Sequence, residues 1–363
     1  MKIKSVKNVL IPLMIAVGVV FSFAIVTTSC SSTKAIKFAL HRGLSSRFFE
    51  NTSYSFEGAG EIASVWGIET DIYLTKNDDN GYHPLVCSHD INPFRQTNSN
   101  LRDAAGSVSG SIGVCNPTPS AYDLLWNPTT GTKITDLTLN QVKDKELWTG
   151  YCGENLDPTV GNVGDWIVLN NEYNAYGISG DYVVPTFKEY LTICKNHNKE
   201  AVIEIKDENS FWGADYASTL ILEMINEINE VDWANHCTVI AFDGSVFDTA
   251  KPDQPYWHEL KNACENPAPD ISKTANILFN KFEKLCWGDY GHQDPLAEAY
   301  RAVYNHQNID VDKSILLDSG GGDLIKFAHE NNLIVNSWTV NDINDRDNLI
   351  KLDIDQMTTN VLW

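Results

Sequence analysis

The sequence predicts an α/β protein built as a (β/α)8 TIM barrel. Strand-like apolar runs occur about eight times along the chain, and helical patterns separate most of them, as expected for such a barrel. Charged residues and histidines stand at the ends of several of these runs. Functional residues of a (β/α)8 barrel lie at the carboxyl ends of its strands, so both observations favour the same fold.

Length and charge limit the classes of function. The chain has 363 residues and a formal net charge of −21. Its length allows one large domain or two ordinary ones, with enough apolar residues for a sizeable core. The negative charge argues against nucleic acid or an anionic membrane surface as a partner held by charge. An anionic ligand would therefore need local positive charge.

The N-terminus has the pattern of an export signal. Basic residues precede an apolar run over residues 9–26, and Cys30 follows shortly. This order is typical of a bacterial lipoprotein signal, so we expect residues 1–30 to be a signal peptide or membrane anchor with Cys30 lipidated. An uncleaved transmembrane anchor is the alternative, because about 18 apolar residues just span a bilayer. Both place a domain over residues 35–363 on the extracytoplasmic face of the cell membrane.

Predicted barrel elements follow from residue 35. A strand over residues 35–40 ends at His41, and Thr52 is placed to cap a helix over residues 53–66. Later strands are predicted at residues 65–72, 201–206, 238–242, 277–279, 314–317, 333–340 and 354–358. Further helices are predicted at residues 142–147, 186–197 and 217–228, the first two behind capping-box patterns.

Two carboxylates mark the second strand. Glu69 and Asp71 stand at alternate positions and so share one face. Like charges with Cβ atoms roughly 6–7 Å apart repel unless a cation or proton lies between them. Carboxylate oxygens suit Mg²⁺ or Ca²⁺. Two exposed acids at a solvated strand end are the alternative, and the apolar Ile68 and Ile72 on the other face argue against it.

A short turn cluster follows this strand and predicts a hairpin. Residues 76–81 separate it from the apolar run at residues 85–87, which leads to His89. The gap is too short for a parallel crossover, which needs a dozen or more residues. The chain must therefore turn back and bring His89 to the level of the carboxylates. His41 and His89 then face a common site.

A second charged strand end occurs at Glu204 and Lys206, which also share one face. A charged pair on the inward face of a barrel strand is costly unless it is coordinated or paired. Coordination of a cation would offset this cost. A structural ion pair, between Glu204 and Lys206 or with Asp71, is the alternative.

The middle of the chain predicts an insertion beside the barrel mouth. Residues 91–183 are rich in Asn, Gly, Ser, Thr and Pro, with few periodic stretches. Cys115 and Cys152 could form a disulfide within it, or remain free. Cys87, Cys194 and Cys237 lie in apolar surroundings, where buried free thiols are expected.

Five motifs occur in a fixed order: His-Arg-Gly at 41–43, Glu-Asn-Thr at 50–52, Glu-x-Asp at 69–71, His-Asp at 89–90 and Glu-x-Lys at 204–206. Together they resemble the signature of the glycerophosphodiester phosphodiesterases, and the tetrapeptide at 338–341 is a further echo. The resemblance covers most of the chain from residue 35, except the middle segment. It implies metal-dependent hydrolysis of glycerophosphodiesters to glycerol 3-phosphate and an alcohol.

The resemblance also implies roles for the residues that match. The expected acid/base pair is His41 and His89. The expected ligands of Ca²⁺ or Mg²⁺ are Glu69, Asp71 and Glu204. The expected substrate contacts are Arg42, Lys206 and Trp338. The sequence departs from the family pattern at Phe49, Ala241 and Asn360, where the family often has Pro, Ser and Asp, and none of these departures removes a predicted ligand or histidine.

Two alternative functions stay open. The related sphingomyelinase D and phospholipase D enzymes share a similar core of two histidines and Glu-x-Asp and act on intact lipids. Glu-Asn-Thr and Glu-Ile-Lys favour the first function over this one. A surface binding protein that kept the barrel and lost activity is the other alternative, and the complete set of histidines and carboxylates argues against it.

Overall fold

The computed structural model describes residues 35–46, 48, 50–78, 81–89, 91, 133–143, 149–151, 166–168, 184–206, 214–242, 256–265, 271–286 and 294–362. Its strands are β1 Lys37–Leu40, β2 Gly67–Leu74, β3 Leu85–Cys87, β4 Thr149–Tyr151, β5 Trp166–Val168, β6 Glu200–Ile205, β7 Cys237–Ala241, β8 Glu283–Cys286, β9 Asn308–Asp312, β10 Val335–Trp338 and β11 Gln356–Thr359. Its α-helices are α1 Ser53–Gly60, α2 Leu139–Lys143, α3 Phe187–Asn196, α4 Ala214–Val231, α5 Tyr256–Glu265, α6 Ser272–Asn280, α7 Pro295–Tyr304, α8 Lys313–Leu317, α9 Gly321–Glu330 and α10 Ile343–Lys351.

Eight parallel strands close into a barrel. Their order is β1, β11, β10, β9, β8, β7, β6 and β2, and β2 pairs back onto β1. The seam between β1 and β11 aligns Leu40 with Thr359. Helices pack outside the strands and bury two large apolar clusters against them. The predicted (β/α)8 barrel is confirmed.

The predicted hairpin is also confirmed. β3 runs antiparallel to β2, with Ile72 opposite Cys87 and Leu74 opposite Leu85. One step further along, the Ser88 amide donates to the Asp71 carbonyl at 3.0 Å. The returning arm therefore delivers the next residue, His89, to the level of the β2 carboxylates.

Helix starts follow the capping predictions. Thr52 caps α1, and its partner at the third helical position is Ser55. Thr186 caps α3 in a capping box with Glu189. Each box satisfies backbone donors that the first helical turn would leave unpaired. α1 ends at Gly60, earlier than the predicted residue 66.

Two predicted strands are wrong. Residues 277–279 lie in helix α6 and residues 314–317 in helix α8, whereas the strands themselves are β8 and β9. Both true strands carry buried acids that face the barrel interior, Glu283 and Asp310. These acids interrupt the apolar pattern of the strands, while the neighbouring helices contain short continuous apolar runs.

Most of the predicted insertion, with Cys115 and Cys152, lies outside the described residues, as does Cys30. Residues 133–143 of it pack on the hairpin, where Ile134 and Val142 share an apolar cluster with Tyr73 and Val86. The predicted insertion boundaries stay a prediction. Among the described residues five thiols are free: Cys87, Cys194, Cys237, Cys264 and Cys286. Within the described ranges no helix is both long and apolar enough to cross a membrane.

Candidate active site

The turn after β1 brings a backbone donor into the barrel mouth. After His41, Arg42 and Gly43 have positive φ angles of 58° and 79°. A Cβ on Gly43 would lie 2.5 Å from Ser55 Oγ, which explains the need for glycine. The turn directs the Arg42 amide at Glu69 Oε2, to which it donates at 2.8 Å.

The Arg42 side chain lies between two buried carboxylates. Nη1 donates to Glu50 Oε2 at 2.7 Å, and Nε lies 3.3 Å from Asp71 Oδ2. Burial alone would lower the pKa of the Arg42 guanidinium, but Glu50 and Asp71 raise it. The guanidinium therefore stays charged and is held in place at the barrel mouth.

Three carboxylates converge at the ends of β2 and β6. One oxygen from each of Glu69, Asp71 and Glu204 lies within 4.8 Å of the others, and all three residues are buried. Register explains this, since Asp71 is paired with Glu204 across the two parallel strands. Lys206 partly neutralises the cluster, because its Nζ lies 2.9 Å from Asp71 Oδ1 and 2.6 Å from Glu204 Oε1. The three carboxylates that were predicted as metal ligands therefore lie in one cluster with Lys206, whose ion pairs with Asp71 and Glu204 were the alternative prediction.

The pKa values of these three acids are shifted in different directions. Burial and the Asp71 charge raise the pKa of Glu69 well above its usual range. Burial also raises the pKa of Glu204 to about 7 in spite of Lys206. Burial would raise the pKa of Asp71 too, but Lys206 and Arg42 hold it well below its usual range. Burial is the first cause of both raised pKa values, so without a further positive charge the site favours protonated Glu69 and Glu204.

This donor set fits a divalent cation. Glu69 Oε1 is buried without a hydrogen-bond partner in the described part of the chain. A buried carboxylate oxygen left unpaired is costly unless a proton, water or cation satisfies it. Three carboxylate oxygens are the hard ligands that Ca²⁺ and Mg²⁺ prefer. The cluster can therefore hold such an ion.

His41 lies beside this cluster. Its Nε2 is 3.9 Å from Glu69 Oε2, and its Nδ1 is 2.9 Å from Asn360 Oδ1. Burial, followed by the charge of Arg42, lowers the pKa of His41 well below its usual value. The imidazole is therefore neutral at ordinary pH, as a proton acceptor must be.

His89 reaches the site on the hairpin arm. Its carbonyl accepts a hydrogen bond from Tyr73 Oη at 3.3 Å, which ties the arm to β2. His89 is near enough to both groups that its charge lowers the pKa of His41 and of Asp71. The hairpin arm therefore brings His89 to the same end of the barrel as His41.

Trp338 belongs to a wall of aromatic and apolar side chains. Trp338 ends β10 and packs edge-on against Phe242, with ring centroids 5.7 Å apart. Its Nε1 donates to the Asp310 carbonyl at 3.3 Å. Below them the barrel interior is apolar at Ile240 and Leu285. Trp338 therefore lies at the predicted end of the barrel, as part of this wall.

Three site residues had no role in the sequence-based prediction: Glu50, Asn51 and Asn360. Glu50 and Asn51 belong to a recognised motif, but their contacts depend on the turn geometry after β1. Asn360 meets His41 only because β11 closes onto β1. Nothing in the local sequence signals that contact.

The closed barrel and the charged cluster at its mouth define an enzyme of the (β/α)8-barrel class. A family model described as the Glycerophosphoryl diester phosphodiesterase family matches residues 41–362. The chain belongs to this family, a family of phosphoric diester hydrolases. The resemblance that the sequence motifs indicated is therefore confirmed. No match was found among curated protein sequences.

Solved structures share the fold. A glycerophosphodiester phosphodiesterase from Parabacteroides distasonis is 16% identical with a TM-score of 0.53, covering 90% of this chain and 93% of that one. A putative glycerophosphoryl diester phosphodiesterase from Silicibacter pomeroyi is 15% identical with a TM-score of 0.56, covering 90% of each chain. An Oleispira antarctica phosphodiesterase, solved with the product sn-glycerol-3-phosphate, is 14% identical with a TM-score of 0.53, covering 89% and 92%. At these identities the likeness shows the fold.

Proposed function

We propose that this enzyme hydrolyses glycerophosphodiesters to glycerol 3-phosphate and an alcohol, with His41 and His89 as its acid/base pair. The observation that carries the proposal is the meeting of His41, which directly follows β1, with the carboxylate cluster of β2 and β6. His89 is brought to the same level by the hairpin. Hydrolysis of a phosphodiester needs a base for the attacking water, an acid for the leaving oxygen and neutralisation of the phosphate charge.

A divalent cation, Ca²⁺ or Mg²⁺, would be held by Glu69, Asp71 and Glu204. When bound it would neutralise charge on the phosphate and satisfy the unpaired oxygen of Glu69. Arg42 and Lys206 would contact the remaining phosphate oxygens, since both carry fixed positive charge beside the cluster.

The histidines would move two protons. One imidazole takes a proton from the attacking water as the oxygen of that water forms a bond to phosphorus. The bond from phosphorus to the alcohol oxygen breaks, its electron pair stays on that oxygen, and the other histidine supplies the proton. The apolar face of Trp338 would pack against the carbon skeleton of the substrate and exclude water from it.

Product analysis tests this function. Purified protein is incubated with glycerophosphocholine and glycerophosphoglycerol, and glycerol 3-phosphate is measured. Its appearance at the same rate as the free alcohol supports the proposal. If the protein instead forms a cyclic lipid phosphate from intact lipid and leaves the deacylated substrates unchanged, its reaction is of the sphingomyelinase D or phospholipase D type and the proposal is wrong. No turnover of either substrate class would favour a binding protein.

The cellular location is a separate proposal. We infer from the sequence around Cys30 that the enzyme is held at the extracytoplasmic face of the cell membrane by a lipid on that residue. Cys30→Ser should then release the protein from membranes or block its processing. Unchanged mass and membrane retention of the variant would favour an uncleaved anchor.

A further inference from the structure

His41 and Asn360 face each other across the seam where the barrel closes. The His41 amide donates to the Thr359 carbonyl at 2.9 Å, which continues the pairing of β1 with β11. Strand register thereby sets the two side chains side by side. His41 Nδ1 lies 2.9 Å from Asn360 Oδ1, a good hydrogen-bond distance.

Asn360 is held firmly from other directions. Its backbone amide donates to Asn341 Oδ1 at 2.9 Å. Ser45 Oγ lies 3.2 Å from Asn360 Oδ1 and 3.0 Å from the His41 carbonyl. Asn360 is buried, with 3% of its surface exposed. The amide oxygen is therefore a fixed acceptor rather than a mobile surface group.

We propose that Asn360 is a positioning residue that holds His41 in the tautomer with its proton on Nδ1, which leaves Nε2 as the proton acceptor. An amide oxygen can only accept, so the ring nitrogen bonded to it must carry the hydrogen. Nε2 is then unprotonated in the neutral ring, and it is this atom that lies 3.9 Å from Glu69 Oε2. The proposal rests on the proposed function and adds that His41 is the base and His89 the acid.

The neutral amide oxygen of Asn360 affects the His41 ring differently from a carboxylate oxygen in the same place. Both orient the ring, but a carboxylate also stabilises the doubly protonated, cationic imidazole. An amide fixes the tautomer without adding negative charge. In the neutral ring the acceptor is then Nε2, the nitrogen on the side of Glu69.

The tautomer can be measured directly. In ¹⁵N-histidine-labelled full-length protein, the His41 ring signals are assigned by their loss in His41→Gln, and the wild type should show the Nδ1–H pattern. Asn360→Leu should give mixed tautomers and a kcat roughly 10- to 100-fold lower, with little change in KM, because a group that orients a reacting histidine is lost. Asn360→Asp keeps the acceptor and should restore the tautomer and most of kcat.

Asn308→Leu is the matched control. The Asn308 side chain is likewise hydrogen-bonded, to the Phe282 carbonyl and the Ile334 amide, but at the amino end of β9, opposite the site. It should lower the melting temperature while leaving the His41 tautomer and kcat unchanged. If Asn360→Leu does not fold, the proposal is tested by the His41 tautomer in the wild-type spectrum and by the tautomer and kcat of Asn360→Asp.

Two results would overturn the proposal. One is an Nε2–H tautomer of His41 in the wild type. The other is an unchanged kcat in Asn360→Leu while His41→Ala is inactive. Full activity of His41→Ala would instead refute the catalytic role of His41, and with it the proposed function.

Discussion

The side-chain amide of Asn51 donates a hydrogen bond to Asp71 Oδ2 at 2.8 Å. The amide oxygen of Asn51 accepts from Thr70 Oγ1 at 2.8 Å, so the orientation of the amide is fixed. The backbone of Asn51 has a φ of 52°, in the left-handed region that asparagine and aspartate tolerate better than most residues. Asn51 thus adopts the left-handed backbone conformation of this turn, and its side chain orients the Asp71 carboxylate.

Asn51→Asp should weaken the site without disturbing the turn. The new carboxylate replaces a donor and places a like charge against Asp71, which both disorients and repels it. We expect a loss in kcat/KM of roughly 10- to 100-fold, as for other residues that orient metal ligands. The comparison is with Asn51→Gly, which keeps the backbone conformation and removes only the amide. An equal or larger loss in the glycine variant would mean that charge repulsion is not the cause.

Removal of divalent cations should abolish activity. Three buried carboxylates share the site with two cationic side chains, Arg42 and Lys206, which leaves negative charge for a cation to balance. A chelator should therefore stop production of glycerol 3-phosphate, and added Ca²⁺ or Mg²⁺ should restore it and raise the melting temperature. Saturation at 100 times Kd stabilises a protein by about 2.7 kcal/mol. Full turnover in excess chelator would contradict the metal site.

Two glutamates of one strand make a matched test of that site. Glu204→Gln removes a proposed ligand at the carboxyl end of β6, and it should abolish the rise in melting temperature on adding cation. Glu200→Gln changes the same residue type at the other end of β6, where Glu200 binds Thr238 and Lys281. That variant should keep the cation-dependent rise. Equal responses of the two variants would place the cation elsewhere.

The two histidines should act as a unit. His41→Ala and His89→Ala should each lower kcat by roughly 10²- to 10⁴-fold, as expected for a lost acid or base. The double variant should be far less than additive in free energy, because either loss already stops the same proton-transfer sequence. His83→Ala is the control on the same arm, since His83 bonds the Thr75 carbonyl near the hairpin turn. Damage by His83→Ala with a benign His89→Ala would refute the assignment of His89.

Glu227 should give the protein a pH-dependent stability. It lies on α4 and accepts hydrogen bonds from Tyr82 Oη and from the Leu85 amide, so it fastens the hairpin to the barrel. Burial raises the pKa of Glu227 to about 7 from an ordinary value of 4.5. Folding therefore favours the protonated acid. Its contribution to the free energy of unfolding is full below pH 4.5 and is lost as the pH rises through 7.

Glu227→Gln removes this titration and keeps a side-chain oxygen for both donors. The wild type should lose roughly 3 kcal/mol more than the variant between pH 4.5 and 7. Chemical denaturation across that range measures the difference. Glu283, with a pKa raised by burial to about 8, contributes to both proteins alike. Parallel stability curves would show that Glu227 does not titrate in this range.

Local patterns predicted most of what fixes the site. Alternation placed Glu69 with Asp71 and Glu204 with Lys206, and the length of one turn was enough to predict the hairpin that carries His89. The capping predictions at Thr52 and Thr186 also hold, because a cap depends only on residues a few positions apart.

Other features depend on contacts that the local sequence does not encode. β8 and β9 were misplaced because Glu283 and Asp310 point into the barrel, where a polar interior replaces the expected apolar alternation. The partner of His41 could not be anticipated either. Asn360 becomes its neighbour only through strand pairing across the whole barrel, which no local period reveals.

Closure of the barrel between β1 and β11 has a consequence for synthesis. His41 and Asn360 are 319 positions apart. At roughly 5–20 residues per second, a ribosome takes on the order of half a minute to make the segment between them. Throughout that time the outer edge of β1 has no β11 to pair with, so the nascent chain presents an unpaired strand edge. A chain interrupted before β11 lacks both the seam and the residue beside its histidine, so translation must pass β11 before a working enzyme can form.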